Sequence, residues 1–372
     1  MPKPLEGQVA LVAGATRGAG RGIARALGEA GAVVYCTGRS SRAGPSPMGR
    51  PEVIEETAEL IAAAGGMAHA VRVDHANEEE VAALVKRIRD EQGRLDVLVN
   101  DLWGGDPMVD WSAKFWNLDI AGTRALIDQA LVSHLITARH AAPLMIERKH
   151  GLILEVTDGL GEGYRGQILY DLVKAAVLRL GYAMAWDLKD TGVTALSLSP
   201  GFLRSEHVLE HFGVTEANWR EGAARDPLFE ESETPALIGR GIAALAADPD
   251  VGRFAGAALA SEDLLDIYAL EDVDGRRPHV YRHFDVLADG FASAEGPLDD
   301  YGGFFAWAAY LRIHRDPAKA ALAERLAVKL GWDDLGAGLR PQRPAPRHAQ
   351  PLRPAEARDG QGGVIKPPAG VR

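Results

Sequence analysis

The chain has 372 residues, and its 41 Lys+Arg against 52 Asp+Glu give a formal net charge of -11 and a pI near 5.5. That acidic balance argues against nucleic acid or an anionic membrane surface as the partner, and the length allows one large α/β domain with an appendage. The single cysteine, Cys36, excludes an intramolecular disulfide framework and fits a reducing cytoplasm.

Met1-Pro-Lys-Pro leads into the first apolar run without a signal-peptide pattern, so a cytoplasmic location is expected. Gln8-Val-Ala-Leu-Val-Ala13 has the length and composition of a buried strand. It runs at once into Gly14-Ala-Thr16-Arg17-Gly18-Ala-Gly20-Arg-Gly-Ile-Ala24, where strand gives way to helix. Glycines there let the backbone approach a pyrophosphate, and the first helical turn offers free N–H donors at the positive end of its dipole. The spacing G-x-x-x-G-x-G differs from the usual G-x-G-x-x-G, but strand, turn and helix are all present, which predicts nucleotide binding.

Further strands are predicted near residues 32–37, 69–73, 95–100, 151–157, 193–199 and 256–260, with helical patterns between them. This alternation specifies an α/β fold of Rossmann type: a doubly wound, mostly parallel seven-stranded sheet with helices on both faces. The second strand ends Thr37-Gly38-Arg39, with no acidic residue to hold a ribose 2′-hydroxyl. Arg39 and Arg17 are instead suited to grip a 2′-phosphate, which favours NADP(H) over NAD(H). The breaker-rich loop Ser41 to Pro51 follows, near the expected adenosine end.

Between the fifth and sixth strands lies Leu169-Tyr170-Asp-Leu-Val-Lys174. Side chains at i and i+4 share a helix face, so the Lys174 ammonium is expected to lower the Tyr170 phenol pKa from about 10 toward working pH. A phenol tuned in this way is a general acid or base. After Pro200-Gly201, the segment Arg204 to Pro235 carries His207, His211, Phe212, Trp219 and Phe229, and its aromatics are candidates to line a pocket. His207 and His211 have i, i+4 spacing but no third ligand, so no metal is expected.

These landmarks resemble the short-chain dehydrogenase/reductase family from about Gly7 to Pro278, with Asp74, Asn100 and Pro200-Gly201 joining the glycine turn and the Tyr170/Lys174 pair. Asp272-Val-Asp-Gly-Arg-Arg-Pro278 is similar to the way one branch of that family closes its domain. The resemblance implies that Gly14, Thr16, Arg17, Gly18, Gly20 and Arg39 hold the cofactor, with Asp74 beside the adenine and Asn100 matching the first asparagine of the family's Asn-Asn-Ala-Gly. The second asparagine is Asp101 here. Lys174 would also hydrogen-bond the nicotinamide ribose, Pro200 and Gly201 would border the carboxamide, and residues 204–235 would form the substrate lid. Trp103, Tyr164 and Phe202 would shape the substrate pocket.

Two family positions depart from the pattern. Counting back from the tyrosine puts the serine column on Thr157, whereas following the strand from Gly151 puts it on Asp158; Thr157 is favoured because a hydroxyl both donates and accepts without adding charge. The family's asparagine, expected around Gln129-Ala130, is absent. The resemblance implies an NADP(H)-dependent carbonyl reductase or alcohol dehydrogenase acting on a small carbonyl or alcohol, as a homodimer or homotetramer. A nucleotide-sensing or scaffolding protein without turnover, and a non-redox dehydratase or epimerase, stay open as alternatives. Residues 1–280 form the expected catalytic domain and 281–336 a helical extension containing an amphipathic helix over Asp316–Leu330. Within that extension, Phe304–Ile313 is too short to span a bilayer, and residues 337–372 read as a disordered Pro/Arg/Gly-rich tail.

Overall fold

The computed structural model describes residues 3–44, 46–160, 165–298, 306, 309, 310, 313, 314 and 316–331. Tyr164, most of Phe304–Ile313 and the whole 337–372 tail lie outside the described residues.

Apolar runs of strand length become the central strands β1 (Val9–Ala13), β2 (Val33–Gly38), β4 (Val97–Asn100), β5 (Gly151–Val156) and β6 (Val193–Ser199). Every residue in these five strands is buried, as a parallel sheet covered on both faces requires. With β3 (Met67–Arg72) and β9 (Ala258–Ala260) at its edges, the sheet has the order β3-β2-β1-β4-β5-β6-β9, and all its pairs are parallel. The seven-stranded Rossmann-type sheet expected from the alternation is therefore present.

One face of the sheet is covered by α1 (Gly18–Glu29) and α8 (Pro235–Ala247), the other by α3 (Glu78–Gln92), α5 (Ser133–Arg148) and α6 (Ile168–Asp187). The helices α1 and α8 pack backbone against backbone. A Cβ at Gly22 would stand 2.0 Å from the Pro235 carbonyl oxygen, and one at Gly239 would stand 2.4 Å from that of Gly22. A π-helical turn, Asp128–Val132, joins α4 (Ile120–Ile127) to α5.

The lid segment contains a short parallel pair, β7 (Phe202–Leu203) with β8 (Ser232–Glu233), and the helix α7 (Glu206–Phe212). Its anchor is Arg204, whose side chain is fully buried and donates to Glu216 and to the Ser232 carbonyl while stacking on Trp219. The motif that closes the predicted domain meets the same anchor: Asp274 lies 3.5 Å from Arg204, Arg276 stacks on Trp219, and Asp272 accepts from the Thr234 amide.

Beyond Pro278, α10 (Val280–Ser293) packs against the helix Ala320–Lys329 through Ala288, Ala292, Ala323 and Leu326. The predicted Asp316 start is present as a cap, since its carboxylate accepts from the Ala318 amide. The first turn, Pro317–Lys319, is a tighter 3-10 turn, so the α-helix proper is shorter than the span read from the sequence.

Candidate active site

The carboxyl ends of the sheet strands open on a cleft of about 710 Å³, the end at which open parallel sheets bind ligands. Gly14, Thr16, Arg17, Gly18 and Arg39 line it beyond β1 and β2. Beyond β5 and β6 the walls are Thr157, Asp158, Tyr170, Lys174, Pro200 and Gly201. The cofactor-binding and catalytic groups expected from the sequence thus share one cleft, with three exceptions. Gly20 lies behind the wall, where a Cβ would stand 2.3 Å from the Gly14 carbonyl oxygen. Asp74 turns its carboxylate onto the Ala76 amide, and its neighbours Val73 and His75 take the lining positions. Asn100 is fully buried beneath the cleft and donates to Glu155 at 2.8 Å, so it holds the floor in place rather than facing a ligand.

At the nucleotide end, Gly14 adopts φ +96°, and a Cβ there would stand 2.0 Å from the Asp101 carbonyl oxygen. Only glycine fits that approach. The amides of the first α1 turn are drawn to acids: Gly18 N–H donates to the Glu206 carboxylate of α7 at 2.8 Å, and the Gly20 amide faces the Asp101 carboxyl. Burial pushes Asp101 up to about 7, although Lys174 and the Gly20 amide pull it down. Arg17 donates to the Met48 sulfur at 2.6 Å and stands 3.5 Å from Glu52, and burial depresses its pKa. Arg39 has no hydrogen-bond or ion-pair partner among the described residues, and its guanidinium lies against Gly104 across the cleft. His207 lines the cleft, but among the described residues no group of three or more His, Cys, Asp or Glu is placed to hold a metal ion.

At the opposite end, Gln167 caps α6 by accepting from the Leu169 and Tyr170 amides, which fixes Tyr170 in the first turn and Lys174 one turn on. Tyr170 sits edge-on to Trp103, with ring centroids 5.2 Å apart, and tilted against Trp111 at 5.3 Å. The Lys174 ammonium lies 4.4 Å from the Trp103 ring centre and 5.4 Å from that of Tyr170. Trp103 and Phe202 both line the cleft, whereas Tyr164 lies outside the described residues.

Two expectations need correction here. Thr157, favoured for the serine role, spends its hydroxyl on the Lys174 carbonyl at 2.8 Å. The side chain that meets the phenol is Asp158, which accepts from Tyr170 Oη at 2.7 Å. Lys174 was also expected to lower the phenol pKa, but burial together with the Asp158 carboxylate raises it. Burial likewise pulls the Lys174 pKa down, against the opposing pull of Asp158, Asp101 and Asp106.

Several cleft residues escaped the sequence reading. Arg165 forms an ion pair with Asp158, and that pair, with help from Lys174, overcomes burial to hold the aspartate at about 2. Tyr281 and Phe284 enter from α10, beyond the predicted domain end, and Tyr281 Oη hydrogen-bonds Ser199 at 2.9 Å. Gln129, on the π-helical turn, lines the wall where the family's asparagine was sought. The only sequence signal for Arg165 was its place five residues before the tyrosine.

Comparison with known proteins agrees with this geometry. A family profile described as short chain dehydrogenase matches residues 8–212. Dehydrogenase/reductase SDR family member 1 from Mus musculus is 34% identical over 286 residues, covering 74% of this chain and 86% of the relative; the Homo sapiens protein matches at the same identity and coverage. A 3-oxoacyl-[acyl-carrier-protein] reductase from Synechocystis sp. is 33% identical over 204 residues, covering 54% of this chain and 76% of that protein. The crystal structure of a hydroxysteroid dehydrogenase from Escherichia coli superposes with a TM-score of 0.55 at 23% identity, covering 69% of this chain and 95% of that one, and supports the fold. With its glycine turn and Tyr170/Lys174 pair on one cleft and more than half its length matched, the chain belongs to the short-chain dehydrogenase family of nicotinamide-dependent oxidoreductases, in the branch of Dehydrogenase/reductase SDR family member 1.

Proposed function

We propose that the protein is an NADP(H)-dependent oxidoreductase that interconverts a small carbonyl compound and its alcohol. The observation that carries this reading is the placement of the Tyr170 hydroxyl and the Lys174 ammonium in the same cleft as the Gly14 turn. The cleft fits a dinucleotide: Gly14 leaves room where a Cβ would clash, and Arg39, which has no partner among the described residues, offers positive charge with the half-buried Arg17 at the end where a 2′-phosphate would lie. Thr16, Gly18 and Ser40 complete that wall, and Lys174, Pro200 and Gly201 are the groups assigned to the nicotinamide half.

A bound reduced nicotinamide supplies the hydride. Tyr170 gives its proton to the substrate oxygen and regains one from water, so the net change is carbonyl plus hydride plus proton to alcohol. Lys174 holds positive charge near the phenol while it is deprotonated, and Trp103, Trp111 and Phe202 exclude water around the reacting carbon.

Residues 1–280, with the lid at 204–235, form the catalytic body in this reading, and α10 of the 281–336 extension completes its pocket through Tyr281 and Phe284. No helix among the described residues is long and apolar enough to cross a membrane. A cytoplasmic homodimer or homotetramer is proposed, supported by the exposed Leu135, Leu172 and Trp186 on α5 and α6.

The carboxylate of Asp158 on the phenol favours a second reading, a non-redox reaction or loss of turnover, because it opposes release of the phenol proton. Incubation with NADPH and a panel of aldehydes and ketones separates the two. Substrate-dependent loss of reduced-nicotinamide absorbance supports the oxidoreductase; tight NADPH binding with no turnover across the panel supports the second reading.

A further inference from the structure

An ionised carboxylate at the serine position creates an electrostatic problem for carbonyl reduction. Negative charge grows on the substrate oxygen as hydride arrives, and Asp158 stands where the family places a neutral hydroxyl. Its Oδ2 already accepts the Tyr170 proton.

The remedy lies on the other oxygen of the same carboxylate. Arg165 Nη2 pairs with Asp158 Oδ1, so one carboxylate bridges the guanidinium and the phenol. Arg165 lines the cleft with its side chain 38% exposed, and Asp158 is its only side-chain hydrogen-bond partner among the described residues. A guanidinium carries five N–H donors in a rigid fork, so among the described residues most of its donors have no partner. The loop is held from below as well: Gly159 N–H donates to Ser199 Oγ at 2.7 Å, and a Cβ at Gly159 would stand 3.6 Å from the Arg165 side chain.

We propose that Arg165 is a catalytic residue: oriented by Asp158, it donates a guanidinium N–H to the substrate carbonyl oxygen, in place of the family's serine. The inference rests on the carbonyl-reduction reading and sharpens it. As the hydride adds to the carbonyl carbon, the C=O π pair moves to oxygen, which Arg165 holds and Tyr170 protonates. The phenol O–H has only to rotate from Asp158 to the substrate, and Asp158 stays neutralised by Arg165 throughout. Because the protein provides the compensating cation, the substrate class is a neutral aldehyde or ketone rather than an amine-bearing one.

The charged groups that face the phenol are Asp158, Arg165, Asp106 and Lys174, so the test removes the first two in turn. Arg165→Ala should lower turnover of a neutral ketone by about a hundredfold, the scale of losing one oxyanion donor, with NADPH affinity unchanged. Arg165→Lys, which keeps the charge and loses the fork, should fall between. If Arg165 served only to neutralise Asp158, it would be dispensable once that carboxylate is gone. Asp158→Ala with Arg165→Ala should instead be at least about tenfold slower than Asp158→Ala alone.

The same two proteins give a readout that needs neither cofactor nor turnover. Asp158→Ala should lower the Tyr170 phenol pKa, followed by ultraviolet absorbance and assigned by difference from a Tyr170→Phe partner, and adding Arg165→Ala should move it back up by about one pH unit. A fully active Arg165→Ala enzyme, or a double variant matching Asp158→Ala in rate, overturns the donor role. An unmoved phenol titration overturns the placement of the charge even if no carbonyl substrate is found. A moved titration in a protein that turns over no carbonyl keeps the Arg165 charge beside the phenol but overturns its role as donor to a carbonyl oxygen, together with the reductase reading.

Discussion

The Gly18 amide donates to the Glu206 carboxylate at 2.8 Å, so a lid side chain holds a first-turn N–H of the kind that binds pyrophosphate. Glu206 also lies 3.7 Å from Arg21, and one turn further along α7 the bidentate Arg50–Glu210 pair ties the same helix to the 46–52 loop. A dinucleotide must displace Glu206 to reach those amides. Glu206→Gln should therefore tighten NADPH binding several-fold, measured by fluorescence titration. Unchanged or weaker binding would show that the carboxylate does not compete.

The proposed preference for NADPH rests on Arg39. Arg39→Asp should weaken NADPH binding by about 2–4 kcal/mol, from loss of a charge-assisted bond and added repulsion, and leave NADH much less affected. Isothermal titration with both cofactors checks the ratio. Equal losses would separate Arg39 from the 2′-phosphate.

The raised pKa of Asp101 has a consequence for stability. An aspartate lifted from 3.8 to about 7 keeps its proton in the folded chain at pH values where the unfolded chain has lost it. Its contribution therefore favours folding at low pH and falls away as pH rises through that window, levelling off above about 7. Asp101→Asn removes the slope. Relative to the variant, wild-type stability from urea denaturation should decline by about 1–3 kcal/mol between pH 4 and 7. A constant difference would place the Asp101 carboxyl in an ordinary environment.

The lid anchor is testable by stability alone. Arg204→Ala removes a fully buried guanidinium that pairs with Glu216, donates to the Ser232 carbonyl and stacks on Trp219, and leaves a cavity in its place. The expected loss is about 2–4 kcal/mol by chemical denaturation. A loss near zero would mean that the lid holds its shape without this pairing.

The sheet was legible because its central strands are short, mostly apolar and fully buried, and the first glycine turn because backbone must approach backbone at Gly14. The Tyr170/Lys174 pair was legible because i, i+4 spacing on a helix has one geometry. What escaped was the destination of side chains in loops. Thr157 and Asp158 are adjacent on the chain, and only the folded turn decides that one hydroxyl goes to the Lys174 carbonyl and the next carboxylate to the phenol. Asn100 kept the expected position but was drawn under the floor by Glu155 and His134, neither of which carried a local signal. Tyr281 and Phe284 lie more than a hundred residues from Tyr170 in sequence and reach the pocket only because the closing motif Asp272–Pro278 turns α10 back over the lid.

The central claim is that Tyr170 is the proton donor of a nicotinamide-dependent reduction, and single-turnover kinetics of Tyr170→Phe test it most directly. The substitution removes the hydroxyl and little volume. With a carbonyl substrate that the wild-type protein reduces, the rate of NADPH oxidation should fall by about a hundredfold or more while the NADPH dissociation constant stays within about twofold. A Phe variant that oxidises NADPH at the wild-type rate would contradict the account and move the chemistry to another group in the cleft.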